Sequence, residues 1–346
     1  MKNQRKQRFY NNSFALAAAL GLMGASSLQA QSLEKNVPVG PGVYEAVISA
    51  SDPHIYVSAA GDRGKNNGGI YKFRLDDLTA VDTIALGAHP PFGLAINNKT
   101  NTIYSSNTRT GTVSAIDIQS GKVLATISNG AEKSHTRELL VDEANNIIYV
   151  SDVGKPSNIW VIDGKTNTYL HAIPETGENT AGMCFAGSTD QIYVTNIASN
   201  TIGVIDVKSK EVVRSFPSGG EAPINITSDG ERLFVTNQGS GTLTVLDKQG
   251  KLIQSIETGD GAIGIAYDPI KQRLYSANRK TGTTTVLDAN TYAVLADIST
   301  GTYPNHVKVD PNTGTAYVIN KAKRIEVKEG EAPVADSNGD TLSKIK

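Results

Sequence analysis

The chain has 346 residues, a formal net charge of −1 and 39% hydrophobic residues. That apolar share is enough for an extended core and too little for a membrane protein, and the small net charge excludes a uniformly basic nucleic-acid-binding surface. The single cysteine, Cys184, excludes an internal disulfide. Within Met183-Cys184-Phe185 it reads as a small buried hydrophobe.

The N-terminus reads as an export signal. Lys2, Arg5, Lys6 and Arg8 precede an apolar run from Phe14 to Met23, and small and polar residues lead on to Ala30. Charge, a short apolar run and a small residue before a cut describe a cleaved secretory signal, and the run is too short to span a bilayer. Leu28 is bulky for the position three before that cut. The expected division is a signal peptide over 1–30 and one exported soluble domain over 31–346, with no membrane insertion.

From there on a repeat dominates. Ile55-Tyr56-Val57-Ser58, Ile103-Tyr104-Ser105-Ser106-Asn107, Ile148-Tyr149-Val150-Ser151-Asp152 and Ile192-Tyr193-Val194-Thr195-Asn196 follow one another along the chain. Leu233-Phe234-Val235-Thr236-Asn237, Leu274-Tyr275-Ser276-Ala277-Asn278 and Ala316-Tyr317-Val318-Ile319-Asn320 complete the set. The aromatic residues of neighbouring copies lie 41 to 48 positions apart. That period belongs to propeller blades, because helical repeats of similar length carry a helical apolar pattern that is absent here.

The second copy shows the internal grammar. Phe92 to Ile96 is a short apolar strand, and a polar turn precedes a second strand from Ile103 to Ser106. Thr112 to Asp117 alternates as a third strand, Ser120-Gly121 turns the chain, and Lys122 to Ile127 is the fourth. A four-stranded sheet that is apolar on both faces buries them only between neighbours, so seven sheets in a ring leave none uncovered. The expected fold is all-β, a seven-bladed propeller of four-stranded antiparallel blades. Its last repeat runs out after a third strand near Thr341 to Lys346, while Val37-Pro38-Val39-Gly40 resembles the end of a fourth. The N-terminal segment is therefore expected to close the ring as the outer strand of the last blade. Asp117, Asp163, Asp206, Asp247 and Asp288 each end a third strand, where a carboxylate accepts amides of the following turn.

The segment Tyr193 to Asn196 and its near copies resemble the YVTN-repeat β-propeller family. With Pro91 to Asn98, Arg137-Glu138-Leu139 and the signal peptide, the chain is similar to the YncE-type periplasmic members over about residues 33–346. The resemblance implies the propeller fold and a periplasmic location, and carries over no catalytic residue and no cofactor. The last repeat departs from the pattern with a long polar insertion, Lys321 to Gly339.

Chemistry is sparse. His54, His89, His135, His171 and His306 show no metal-ligand spacing, so no metal is expected, although His89, His135 and His306 all precede or begin first strands and would ring one end of a channel. No Gly-x-Ser-x-Gly elbow and no phosphate loop is present. Charge is more informative. Loops joining second to third strands hold Arg63, Lys65, Arg109, Lys155, Arg279, Lys280, Lys321, Lys323 and Arg324 against Asp62 and Asp152. Turns joining first to second strands hold Asp52, Glu143, Asp190, Asp229, Glu231, Asp268 and Asp310. One face is thus expected to be basic and the other acidic, with Glu132, Glu178, Glu221 and Asp260 diluting the basic one.

The reading that follows is an exported, non-catalytic binding or scaffold propeller that engages an anionic partner, such as single-stranded DNA or another polyanion, through Arg109, Arg137, Arg279 and Lys280. Phe92 and Tyr303 are the aromatic platforms available there. The alternative is a lactonase-like hydrolase at the channel mouth using His89, Arg137, Glu138, Asn225, Asn305 and His306. A periplasmic or outer-membrane protein is a further partner class that the sequence neither favours nor excludes.

Overall fold

The computed structural model describes residues 31–154, 156–323 and 335–346. The expected signal peptide, Lys155 and Arg324 lie outside the described residues. Twenty-eight strands and no helix are present among the described residues, grouped into seven four-stranded antiparallel sheets. Blade one runs from Val43 to Ala85, blade two from Leu94 to Ile127, blade three from Thr136 to Ile173 and blade four from Thr180 to Pro217. Blade five runs from Pro223 to Glu257 and blade six from Ala262 to Ser299. Blade seven takes its first three strands from Tyr303–Val309, Ala316–Lys321 and Thr341–Ile345.

Its fourth strand is Leu33–Pro38, which pairs antiparallel with Thr341–Ile345. The expected closure is therefore present. Val37 and Val39 pack beside Val43, Tyr317 and Leu342, so the strand contributes apolar contacts as well as ladder bonds.

Second strands are buried over nearly their whole length, whereas fourth strands are largely exposed. The reason is packing between sheets. Tyr56 and Ile70 of blade one meet Leu94, Ile103 and Ile116 of blade two, and Tyr104 and Val113 of blade two meet Val150 and Trp160 of blade three. A strand sandwiched on both faces is apolar at successive positions, which produces the repeat. Cys184 is buried in one such layer, and burial pushes its thiol up.

Each polar letter of the repeat has a structural task. The Ser or Thr hydroxyl stitches two blades. Gly93 N donates to Ser106 Oγ at 2.9 Å, and Ser106 Oγ donates to the Arg137 carbonyl of the next blade at 2.5 Å. Ser58 links Glu45 N to the Phe92 carbonyl, and Thr195 links Gly182 N to the Ile224 carbonyl. The Asn that follows ties down the next turn: Asn107 donates to Thr112 and Ser114, and Asn320 to Thr341 and Ser343. The strand-end aspartates cap turns as expected, with Asp117 Oδ1 accepting Ser120 N at 2.8 Å and Asp288 Oδ1 accepting Thr291 N at 2.7 Å.

Antiparallel order places the first-to-second and third-to-fourth turns on one face, and the second-to-third loops and inter-blade crossings on the other. The third-to-fourth turns bring Lys122, Lys165, Lys208, Lys210, Lys248 and Lys251 to the face read as acidic, together with Asp76, Asp77, Asp117, Asp163, Asp206, Asp247 and Asp288, so that face mixes both signs and keeps its carboxylates. The opposite face keeps its concentrated cations.

Candidate functional site

First strands line the channel, and in six of the seven blades their pairing is interrupted near the channel mouth. Register shifts fall between Val43 and Ala46, Thr136 and Leu139, Thr180 and Met183, Pro223 and Asn225, Ala262 and Gly264, and Pro304 and His306. Such a bulge re-aims consecutive side chains. It explains how Arg137 reaches the mouth while its neighbour Glu138 faces the groups deeper inside.

A cavity of about 460 Å³ opens at that mouth, within the range of small-ligand pockets. Arg63, Arg109, Arg137, Lys321, Tyr44, Phe92, Thr108 and His135 line it. No carboxylate does. Arg109 lies over the Phe92 ring at 5.5 Å, Lys321 over the Tyr44 ring at 5.0 Å, and the two rings meet edge to face at 5.3 Å. The Arg109 guanidinium is fixed by the carbonyls of Ala60 at 3.0 Å and Gly61 at 3.1 Å, so it is oriented without being neutralised.

Arg279 adjoins this group. Its Nη2 donates to Asn305 Oδ1, and its Nε is buried without an acceptor. Burial, then Arg137, lowers its affinity for its proton, and burial, then Arg279, does the same for Lys321. Despite burial, Arg137 is instead held up by Tyr44, Glu138 and Glu45, and Asp340 acts on Lys321, so carboxylates flank the cations while none lines the cavity, which leaves the mouth itself open to an anion.

The sequence-derived residues divide into two groups. Arg109 and Arg137 line the cavity, with Arg279 beside it and Glu138 below. Lys280 is on the exposed rim, where its backbone N donates to the Asp260 carbonyl at 3.0 Å. His89 sits against the Thr110 and Thr112 hydroxyls at 3.4 and 3.3 Å. Asn225, Asn305 and His306 serve the ring: Asn225 Nδ2 donates to the Ile263 carbonyl at 2.9 Å, and Asn305 Nδ2 to the Tyr44 carbonyl at 2.8 Å. Ala46 N donates to His306 Nδ1 at 3.3 Å. These bonds cross from one blade to the next, so the three side chains are structural at the atoms observed. His89, His135 and His306 do not converge, and no trio of His, Cys, Asp or Glu among the described residues is placed to hold a metal. Tyr303 lies opposite Lys321 in blade seven, and Tyr44 is the ring that meets Phe92.

Tyr44, Glu45 and Lys308 were not picked out by the sequence. Tyr44-Glu45 occupies the same bulge as Arg137-Glu138, and aligning first strands on that step would have revealed it. Burial, then Glu138, raises Glu45 well above the usual carboxylate range, and burial raises Glu138 to about 7. Burial depresses Lys308, and burial with Lys308 lowers His306 to about 3.

Fold and site together define a seven-bladed propeller with a cationic mouth over a polar channel. A family profile described as YNCE-like beta-propeller matches residues 42–271, and the chain belongs to that family. It is 31% identical to the YncE protein of Salmonella typhi over 335 residues, covering 93% of this chain and 94% of that one. The YncE protein of Escherichia coli O157:H7 is 32% identical over 202 residues, 56% of this chain and 57% of the relative. Both relatives are described only as uncharacterized proteins. Among solved structures, a hydrazine synthase chain of Kuenenia stuttgartiensis superposes with a TM-score of 0.70 at 17% identity, covering 82% of this chain and 94% of that one. At that identity the likeness is one of fold alone.

Proposed function

We propose that the protein is an exported, periplasmic binding propeller that holds an anionic partner in the mouth cavity, with single-stranded nucleic acid as the partner class that best matches its chemistry. The observation that carries this reading is the set Arg63, Arg109, Arg137 and Lys321 around one cavity with no lining carboxylate. A phosphate there meets the Arg109 guanidinium that carbonyls already orient, and Tyr44 offers ring surface to a base once Lys321 swings aside. Inner-loop Glu132, Glu178, Glu221 and Asp260 lie outside the cavity lining. The hydrolase alternative finds no hydroxyl, imidazole and carboxylate in one hydrogen-bonded chain at the mouth among the described residues.

Fluorescence anisotropy with a labelled oligothymidylate tests the proposal. Binding should weaken steeply with added salt, as release of counterions from each contacted phosphate requires. Salt-independent binding, or none at low salt, would count against it. A lactone and ester panel run beside it should show no turnover above buffer.

A further inference from the structure

Glu45 and Glu138 occupy the same step of the first strand in blades one and three. The blade between them carries Gly93 at that step, where a Cβ would strike the Arg137 carbonyl, so blade two places no side chain there between the two carboxylates. Glu45 spends one oxygen on Leu94 N at 3.0 Å. Neither carboxylate has a cation within 4 Å among the described residues. The charged groups facing them are Arg137 from blade three, Lys308 from blade seven and, beyond Arg137, Arg279 from blade six. His306 of blade seven presents Nδ1 as an acceptor to Ala46 N and so is neutral. Two like charges in one confined channel, facing cations that do not pair with them, favour retention of a proton.

Arg137 belongs to both places. It lines the mouth cavity and compensates Glu138 beneath it. We infer that Glu45 and Glu138 share a proton whose uptake is linked through Arg137 to the binding of an anion in the mouth cavity. This rests on the anion-binding reading and adds its regulation. An anion beside Arg137 takes over that guanidinium's field, Glu138 loses compensation, and the carboxylate pair holds its proton more firmly. By reciprocity, protonating the pair releases Arg137 toward the anion, so affinity rises as pH falls through neutrality. His135 also lines the cavity and is a second source of pH dependence that the test must separate.

Titration calorimetry of the protein with oligothymidylate, and separately with inorganic pyrophosphate, in buffers of different ionisation heat at neutral pH reads the proton directly. The expected result is uptake of about half a proton per bound anion in the wild type and in His135→Gln, with none in Glu138→Gln. Affinity in the wild type should rise about tenfold from pH 8.5 to 5.5, and this dependence should flatten in Glu138→Gln. Glu45→Gln, made for the case that Glu138→Gln fails to fold, should abolish uptake as well. Binding without uptake in the wild type, or uptake that survives in Glu138→Gln, overturns the proton link and leaves the anion site standing. If neither anion binds at any pH, the anion site itself falls and the proton link with it.

Discussion

Val37 lies opposite Leu342 in the antiparallel register that joins the first strand of the domain to the last. The chain is thus closed by pairing between its two ends, and Val37 packs into the layer formed by Val43, Tyr317 and Leu342. Replacing Val37 with Asp sets a charge against that layer and should cost about 2–3 kcal/mol in urea unfolding. Deleting residues 31–40 should lower the melting temperature further. An unchanged melt after the deletion would show that the ring closes without this strand.

The hydroxyl stitches give a second expectation. In Thr195→Val the amide of Gly182 and the carbonyl of Ile224 lose their common partner inside the ring. A loss of about 1–3 kcal/mol is expected, since the shape is kept and the polar groups stay buried. Equilibrium unfolding with an unaltered denaturant slope is the check.

Glycine at the channel step is needed where the next blade comes close. A Cβ at Gly182 would sit 2.7 Å from the Ile224 carbonyl oxygen, which is backbone and has little room to yield. Gly182→Ala should therefore destabilise by about 1–3 kcal/mol or more, in contrast with the smaller effect of the same change at Gly154, whose φ is outside the left-handed region and where a Cβ would meet nothing nearer than 3.4 Å. Equal costs at the two positions would contradict the close packing of first strands.

The pH dependence of stability has two opposed parts. Glu138 is raised in the folded state, so its contribution is complete below the unfolded value of about 4.3 and is lost as pH rises through about 7. His306 is lowered to about 3, so its contribution is present above about 6.5 and is lost as pH falls. Glu138→Gln should accordingly lose less stability than the wild type between about pH 5 and 8. His306→Asn, which keeps an acceptor for Ala46 N, should lose less on acidification below about pH 6.5. Thermal melts across pH separate the two.

Fold was readable because the packing constraint is periodic. Sheets buried on both faces favour an aromatic between buried residues in every blade's second strand (Ile-Tyr-Val in blades one, three and four), and the stitching and capping bonds favour Ser or Thr and then Asn, so architecture is written at a near-fixed spacing. Ala277 and Ile319 show that a stitch is dispensable in single blades without erasing the pattern. The site was only partly readable. Arg109 and Arg137 stood out through loop class, but Asn225, Asn305 and His306 look like ligands in sequence and act as braces, because the partner in the next blade lies far along the chain: 38 positions for Asn225, and 261 and 260 for Asn305 and His306 across the ring closure. Tyr44, Glu45 and Lys308 escaped notice because a bulge shifts which residues face the channel, and one sequence alone does not mark bulges.

The central claim is that anions bind at the cationic mouth and not over the surface at large. Titrating labelled oligothymidylate against Arg109→Glu/Arg137→Glu and against Lys122→Glu/Lys165→Glu on the opposite face tests it most directly, because the two variants change net charge equally. Loss of affinity by about a hundredfold or more in the first, with near wild-type binding in the second, is the predicted result. Equal weakening in both would mean that diffuse charge holds the nucleic acid, and the mouth cavity would lose its assigned role.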